Sequence, residues 1–140
     1  MTVVHESPDA TRPDAALLYR LCGDGNRLHI DPGFAQRAGF PRPILHGLAT
    51  LGVVTHALLR GLAGYDTTHF KSLDLRFSAP VYPGETIRTE MWIDGKNVSF
   101  RARVAERDVG QRQHAVEEQP GAQLARVRRR APPPAAAMSP

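Results

Sequence analysis

The period at which apolar residues recur changes along this chain, and each change predicts a different element. Between Gly47 and Leu62, the residues Leu48, Leu51, Thr55, Leu58, Leu59 and Leu62 return at helical intervals and share one broad face. Val53, Val54 and Ala57 widen that face beyond a surface stripe, which predicts a long helix enclosed by a sheet and ended by Gly61 and Gly64. From Ser72 onward the period is two. Leu73, Leu75, Phe77 and Ala79 alternate with Ser72, Asp74, Arg76 and Ser78, as in a strand with one buried face. After a turn at Tyr82-Pro83-Gly84-Glu85, Ile87, Thr89, Met91 and Ile93 alternate with Arg88, Glu90 and Trp92. Asp94-Gly95-Lys96-Asn97 is a hairpin signal, and Val98, Phe100, Ala102 and Val104 answer on its other side. The pattern predicts an α+β domain in which an antiparallel meander surrounds one long helix.

The N-terminal part is less regular. Val3 and Val4 give a short apolar start, and Ser7 to Pro13 carries turn and loop chemistry. Asp14 is placed to cap a helix with Leu17, Leu18 and Leu21 as its apolar members, ending at Gly23. Asp31 before Pro32 opens a brief helix through Phe34, Ala35 and Ala38 that stops at Gly39. Phe40-Pro41-Arg42-Pro43 is extended, because proline biases its predecessor away from the helical region. Between the two short helices lies a loop that holds an acid, an amide and an imidazole, Asp24, Asn26 and His29, within six positions. Taken singly these are ordinary loop residues: Asp24 a turn or cap, Asn26 an Asx turn, His29 a ring bonded to backbone.

At 140 residues the chain is one domain with room for a core. The single Cys22 excludes an internal disulfide, and no Cys/His spacing matches a zinc site, so neither a redox nor a metal role is expected. Without a leader pattern or a long apolar run, a cytoplasmic protein that spans no membrane is expected. The net charge of +4 does not point to nucleic acid: residues 110–140 hold five Arg against two Glu, which places +3 in the tail. That tail lacks aromatic interleaving and any structured nucleic-acid motif.

The motifs Tyr19-Arg-Leu-x-Gly-Asp-x-Asn-x-Leu-His-x-Asp-Pro32, Ala38-Gly-Phe-x-x-Pro-Ile-Leu-His-Gly-Leu48, Arg76-Phe-x-x-Pro-Val-Tyr-Pro-Gly-Glu85 and Thr89-Glu-Met-Trp92 stand in one order along the chain. In this the sequence resembles the MaoC-like, or hydratase 2, family of (R)-specific enoyl-CoA hydratases, from about Ala16 to Val104. The resemblance implies a hot-dog fold, an antiparallel sheet wrapped around a central helix. It implies reversible syn addition of water to a trans-2-enoyl thioester, with no cofactor beyond the coenzyme A of the substrate. By the same resemblance Asp24 and His29 do acid/base work on a water that Asn26 orients. The backbone N–H of Gly47 serves the thioester oxyanion, where a residue without a Cβ lets acyl-CoA approach closely. Phe77 matches a substrate-contacting position and is also a core residue by alternation; Gly47 is also a helix start. His46, His56 and His69 read as structural, His46 at a motif position where it steadies the loop that aims Gly47. Arg20 and Arg76 read as solvated arginines.

Two residues depart from the family pattern. Arg27 stands where proline is usual, which loosens the loop and puts a charge near Asp24, and Cys22 stands where a small hydroxyl residue is common. Beyond Asp108 the alternation stops, so the closing C-terminal strand is expected to be missing. Residues 1–108 read as the hot-dog hydratase domain and 109–140 as a polar, Arg/Ala/Pro-rich tail without fixed structure. The resemblance further implies a homodimer, or a heterodimer with another hot-dog subunit. Two other functions fit the fold: a dehydratase acting on acyl-carrier-protein thioesters, and a pairing subunit without catalysis.

Overall fold

The computed structural model describes residue 3 and residues 5–70, 72–95, 97–104 and 114–117. Five strands, β1 (His5–Ala10), β2 (Arg76–Phe77), β3 (Thr86–Asp94), β4 (Asn97–Val104) and β5 (His114–Glu117), form one antiparallel sheet in the order β1-β3-β4-β5-β2. Among the described residues there are also three α-helices, α1 (Ala15–Arg20), α2 (Pro32–Arg37) and α3 (Gly47–Leu58), a π-helical turn over Leu59–Ala63 and 3-10 turns over Arg27–His29 and Thr67–His69. The sheet curls around α3, as in a hot-dog fold.

The core forms where the two periods meet. Ile87, Thr89 and Met91 of β3 and Phe100, Ala102 and Val104 of β4 are buried on the face toward α3, which presents Thr50, Val54, Ala57 and Leu58. β3 pairs β4 from Ile87 opposite Val104 to Asp94 opposite Asn97, and the connecting turn has Gly95 at φ +58, a left-handed conformation that glycine adopts without a Cβ penalty. The buried stripe is rotated from the one the apolar spacing predicts. Leu48 is 63% exposed, whereas the smaller Thr50, Val54 and Ala57 turn inward. The wide apolar face left the orientation open, and the close approach of β3 and β4 selects small side chains.

Several expectations are corrected. The loop expected from Ser7 begins instead as part of an edge strand, His5–Ala10, whose Pro8 is tolerated because an edge strand needs hydrogen bonds on one side only. Asp14 makes no side-chain cap; its carboxylate is bonded to the Arg12 guanidinium at 2.8 Å on both oxygens, and Leu17, Leu18 and Leu21 face outward, with only Ala16 of α1 buried. The strand read over residues 72–79 pairs only at Arg76 and Phe77. Leu73 and Leu75 still pack, partly buried, on the core, but Phe77, a core residue by alternation, is 46% exposed, so the alternation holds for only part of this segment. The missing strand is also corrected: His114–Glu117 lies between β4 and β2, with Ala102 opposite Val116 and Phe77 opposite Val116. A four-residue strand is too short for alternation to announce it. The rest of the expected tail falls outside the described residues.

The outer face of the sheet carries one ion cluster with a measurable consequence. Glu90 lies opposite Arg101, accepts a 2.8 Å bond from its Nε and is also bonded by Arg103, so that its side chain is only 8% exposed. Burial pushes the Glu90 carboxyl up, and the bonds from Arg101 and Arg103 outweigh it, leaving the pKa below the ordinary glutamate value. A depressed carboxylate pKa stabilises the fold above the unfolded value, about 4.3, and that stabilisation is lost as pH falls through the folded value. Glu90→Gln is therefore expected to lower stability by about 1–3 kcal/mol at pH 7. The gap to the parent should shrink once both are measured below the glutamate range, and urea midpoints at several pH values check this. A gap that stays constant with pH would remove the ionised pair as its cause.

Candidate active site

Local sequence builds the loop after α1. Gly23, at φ +105, lets the chain leave the helix in a conformation open to few other residues. Asp24 Oδ1 then accepts the Asn26 N–H at 3.1 Å, and Asn26 Oδ1 accepts the Leu28 N–H at 3.0 Å, two successive Asx-type bonds that start a 3-10 turn over Arg27–His29. Asp31 caps α2 through a 3.0 Å bond from the Phe34 N–H. Arg27, at the position where proline is usual, does not turn toward Asp24. Its guanidinium is bonded to Asp31 four residues on, with Phe34 5.4 Å beneath it. The Asp31 carboxyl is held below its usual range by the Phe34 N–H first and by Arg27 second. A side-chain clamp thus supplies restraint that a proline ring would give.

The 3-10 turn points His29 inward. Its Nδ1 lies 2.8 Å from the Ile44 carbonyl oxygen, which can only accept, so Nδ1 carries a proton and Nε2 of the neutral ring keeps its lone pair. The His29 ring stacks on His46 with centroids 3.8 Å apart, and Tyr19 of α1 approaches the other side of His46 at 4.6 Å. His46 is 1% exposed, and neither of its ring nitrogens has a hydrogen-bond partner. Its Nε2 is 3.9 Å from Asp24 Oδ2. Burial, reinforced by neighbouring His29, pushes the His46 pKa down against the opposing pull of Asp24, so His46 is a neutral imidazole at neutral pH.

The structure therefore brings Asp24 and His29 together and adds His46, whose sequence context marks it only as structural. Its place directly before Gly47 is the signal that points to it: a residue that precedes the central helix is carried to wherever that helix starts. Asn26 stands beside Asp24; its carbonyl oxygen accepts the Leu28 N–H, and its NH₂ group is a donor that can orient a water. Gly47 is the first residue of α3, and no side chain caps the helix, which leaves its first N–H groups for a ligand. The Phe77 ring lies 3.4 Å from the place a Gly47 Cβ would occupy. A Cβ there would press on that ring and narrow the approach to the helix start. Beside them is a cavity of about 350 Å³ lined by Phe40, Ile44, Gly47, Phe77 and Val81.

One ligand atom each from Asp24, His29 and His46 lie within 4.8 Å of one another. Two rings stacked with only 27° between their planes direct their in-plane lone pairs side by side rather than at one point. A shared ion would sit out of plane of at least one ring, so the set suits a shared water or proton better than a metal.

A five-stranded antiparallel sheet around a central helix, with an acid and a histidine gathered near the helix start, defines a hot-dog domain. The "MaoC like domain" family matches residues 1–115, and the chain belongs to that family. It is 51% identical over 98 residues to peroxisomal multifunctional enzyme type 2 of Mus musculus, covering 70% of this chain and 13% of that protein. It is 51% identical over 100 residues to the peroxisomal enoyl-CoA hydratase 2 of Arabidopsis thaliana, covering 71% of this chain and 32% of that protein. Among solved structures, a MaoC-like dehydratase from Phytophthora capsici superposes with a TM-score of 0.77 at 43% identity, covering 84% of this chain and 39% of that one. The chain spans well under half the length of these relatives.

Proposed function

We propose that this chain is a catalytic hot-dog unit of an (R)-specific enoyl-CoA hydratase, catalysing reversible syn hydration of a trans-2-enoyl-CoA. The observation that carries the reading is the convergence of Asp24 and His29 beside the uncapped start of α3. In this reading a water is held between the Asp24 carboxylate and His29 Nε2. As its oxygen bonds to C3, the pair takes one proton from the water and returns a proton to C2 on the same face, so the pair ends as it began. Charge that develops on the thioester oxygen is met by the Gly47 N–H at the positive end of α3. Asn26 orients the water, and neutral His46 holds the His29 ring by stacking without adding a charge. Phe77 lines the approach of the thioester.

The catalytic unit works beside a second hot-dog unit, either another copy or a different subunit. Leu17 and Leu21 support this: they are 59% and 83% exposed on the outer side of α1, an apolar surface that a partner would cover. Among the described residues no helix is long and apolar enough to cross a membrane.

The test follows loss of enoyl absorbance from crotonyl-CoA, with the chirality of the product determined and the acyl-carrier-protein form of the same substrate run in parallel. (R)-3-hydroxybutyryl-CoA is the expected product. No turnover of either form by the folded protein would sink the hydratase reading in favour of a pairing subunit.

A further inference from the structure

His29 rides on a turn of three residues, Arg27–His29, whose own hydrogen bonds are long. The His29 N–H reaches the Asn26 carbonyl at 3.3 Å and the Ile30 N–H reaches the Arg27 carbonyl at 3.2 Å. A shorter bond, 2.8 Å, runs from the Asp31 N–H to the same Arg27 carbonyl and brings residues 27 and 31 together. Their side chains then join: Asp31 Oδ2 accepts from Arg27 Nε at 3.1 Å and from its Nη2, while Oδ1 of the same carboxylate accepts the Phe34 N–H at 3.0 Å. Arg27 stands two residues before His29 and Asp31 two residues after it, so the contact closes a ring with His29 at its middle. That ring is tied to α2, which the fully buried Ala35 anchors.

The surroundings fit a built contact. The Phe34 ring takes two guanidinium groups, Arg27 at 5.4 Å and Arg37 at 5.9 Å. At Gly33 a Cβ would stand 3.4 Å from both Asp31 Oδ1 and Arg37 Nη1, so a larger residue there would crowd the carboxylate. The Arg27 side chain is 63% exposed and that of Asp31 29%, so the hold on the turn is electrostatic and open to screening by salt.

We propose that Arg27 is a positioning residue for hydration: through Asp31 it holds the His29 imidazole in register with Asp24, and because it does so by charge, the reaction of this chain is sensitive to salt. This rests on the hydratase reading above. The backbone offers a direct test, because a covalent restraint fits the same place. Arg27 is the first residue of its turn, where the N–H has no carbonyl of the turn to bond, and Asn26 before it, at φ −60 and ψ 122, has the extended conformation that a following proline requires. Arg27→Pro therefore exchanges a charged restraint for an uncharged one with the turn unchanged.

The experiment measures kcat and KM for crotonyl-CoA in the parent, Arg27→Ala, Arg27→Pro and Asp31→Asn. Asp31→Asn keeps an oxygen for the Phe34 N–H and loses only the charge that faces Arg27. Arg27→Ala and Asp31→Asn are each expected to lower kcat at least about threefold, the order of an exposed ion pair with a cation over a ring, and KM should stay within about twofold. Arg27→Pro should keep the parent kcat. Raising sodium chloride from about 0.1 to about 1 M shortens the screening length from about 10 to about 3 Å, and should lower kcat of the parent but not of Arg27→Pro. Unchanged kcat in Arg27→Ala, or equal loss in Arg27→Ala and Arg27→Pro, would overturn the proposal. So would a raised KM with kcat kept, which would place Arg27 on the thioester instead.

A readout independent of turnover is the ring proton that His29 Nδ1 donates to the Ile44 carbonyl at 2.8 Å, observed as a downfield proton resonance and identified by its absence in His29→Gln. Its exchange with water should be at least about threefold faster in Arg27→Ala than in the parent, and Arg27→Pro should restore the parent rate. If the parent hydrates no enoyl thioester, the hydratase reading fails, and this proton alone decides whether Arg27 holds the ring. Equal exchange rates in the parent and Arg27→Ala would overturn the proposal whatever the turnover.

Discussion

Asp24→Asn is expected to slow hydration of crotonyl-CoA by at least about a hundredfold, the scale of losing a positioned acid/base group. The substitution is nearly isosteric, and asparagine keeps an oxygen to accept the Asn26 N–H that Asp24 now holds at 3.1 Å. The side chain is 46% exposed, so little packing is disturbed. The loop, the stacked histidines and the start of α3 should all survive. What is lost is the carboxylate that lies 3.9 Å from His46 and that, in the proposed mechanism, holds the water together with His29. Neutral His46 cannot take over, because its ring is buried and its pKa is held down. The measurement is the initial rate of enoyl absorbance loss, with thermal melting as the control for folding. An unchanged melt with a rate loss below about fivefold would take Asp24 out of the reaction.

Much of this arrangement is legible in the sequence where chemistry is local. The hairpin at Asp94-Gly95-Lys96-Asn97, the alternation of β3 and β4, and Asp31 before Pro32 each specify their structure through neighbouring residues, and each is found as read. What needs distant partners is not written locally. Ser7 to Ala10 carry loop chemistry, and only pairing with β3 makes them part of a strand. His46 resembles any loop histidine until the fold stacks it on His29, 17 positions earlier. Arg27 is three positions from Asp24 in sequence, yet a helical turn delivers its guanidinium to Asp31. Apolar spacing showed that α3 is enclosed, but a wide apolar face does not state which side meets the sheet.

That ambiguity can be turned into a pair of measurements on two leucines that share one stripe in the sequence. Leu58→Ala is expected to destabilise the fold by about 2–5 kcal/mol, whereas Leu48→Ala should stay within roughly 0.5 kcal/mol of the parent. Leu58 is 1% exposed and belongs to the cluster that includes Ile87, Met91 and Phe100, where β3 and β4 close over α3. Truncation there removes the apolar contacts of a whole side chain and leaves a space that the strands, fixed by their ladder, cannot fill by moving. Leu48, 63% exposed one residue past the start of α3, leaves no such space when shortened. Since a domain of this size has only about 5–15 kcal/mol of stability in total, the first change should shift the urea midpoint visibly and the second should not. Equal shifts would mean that the helix is turned differently about its axis. The start of α3, and with it Gly47 and His46, would then face elsewhere, so the pair of midpoints also tests the placement on which the active site depends.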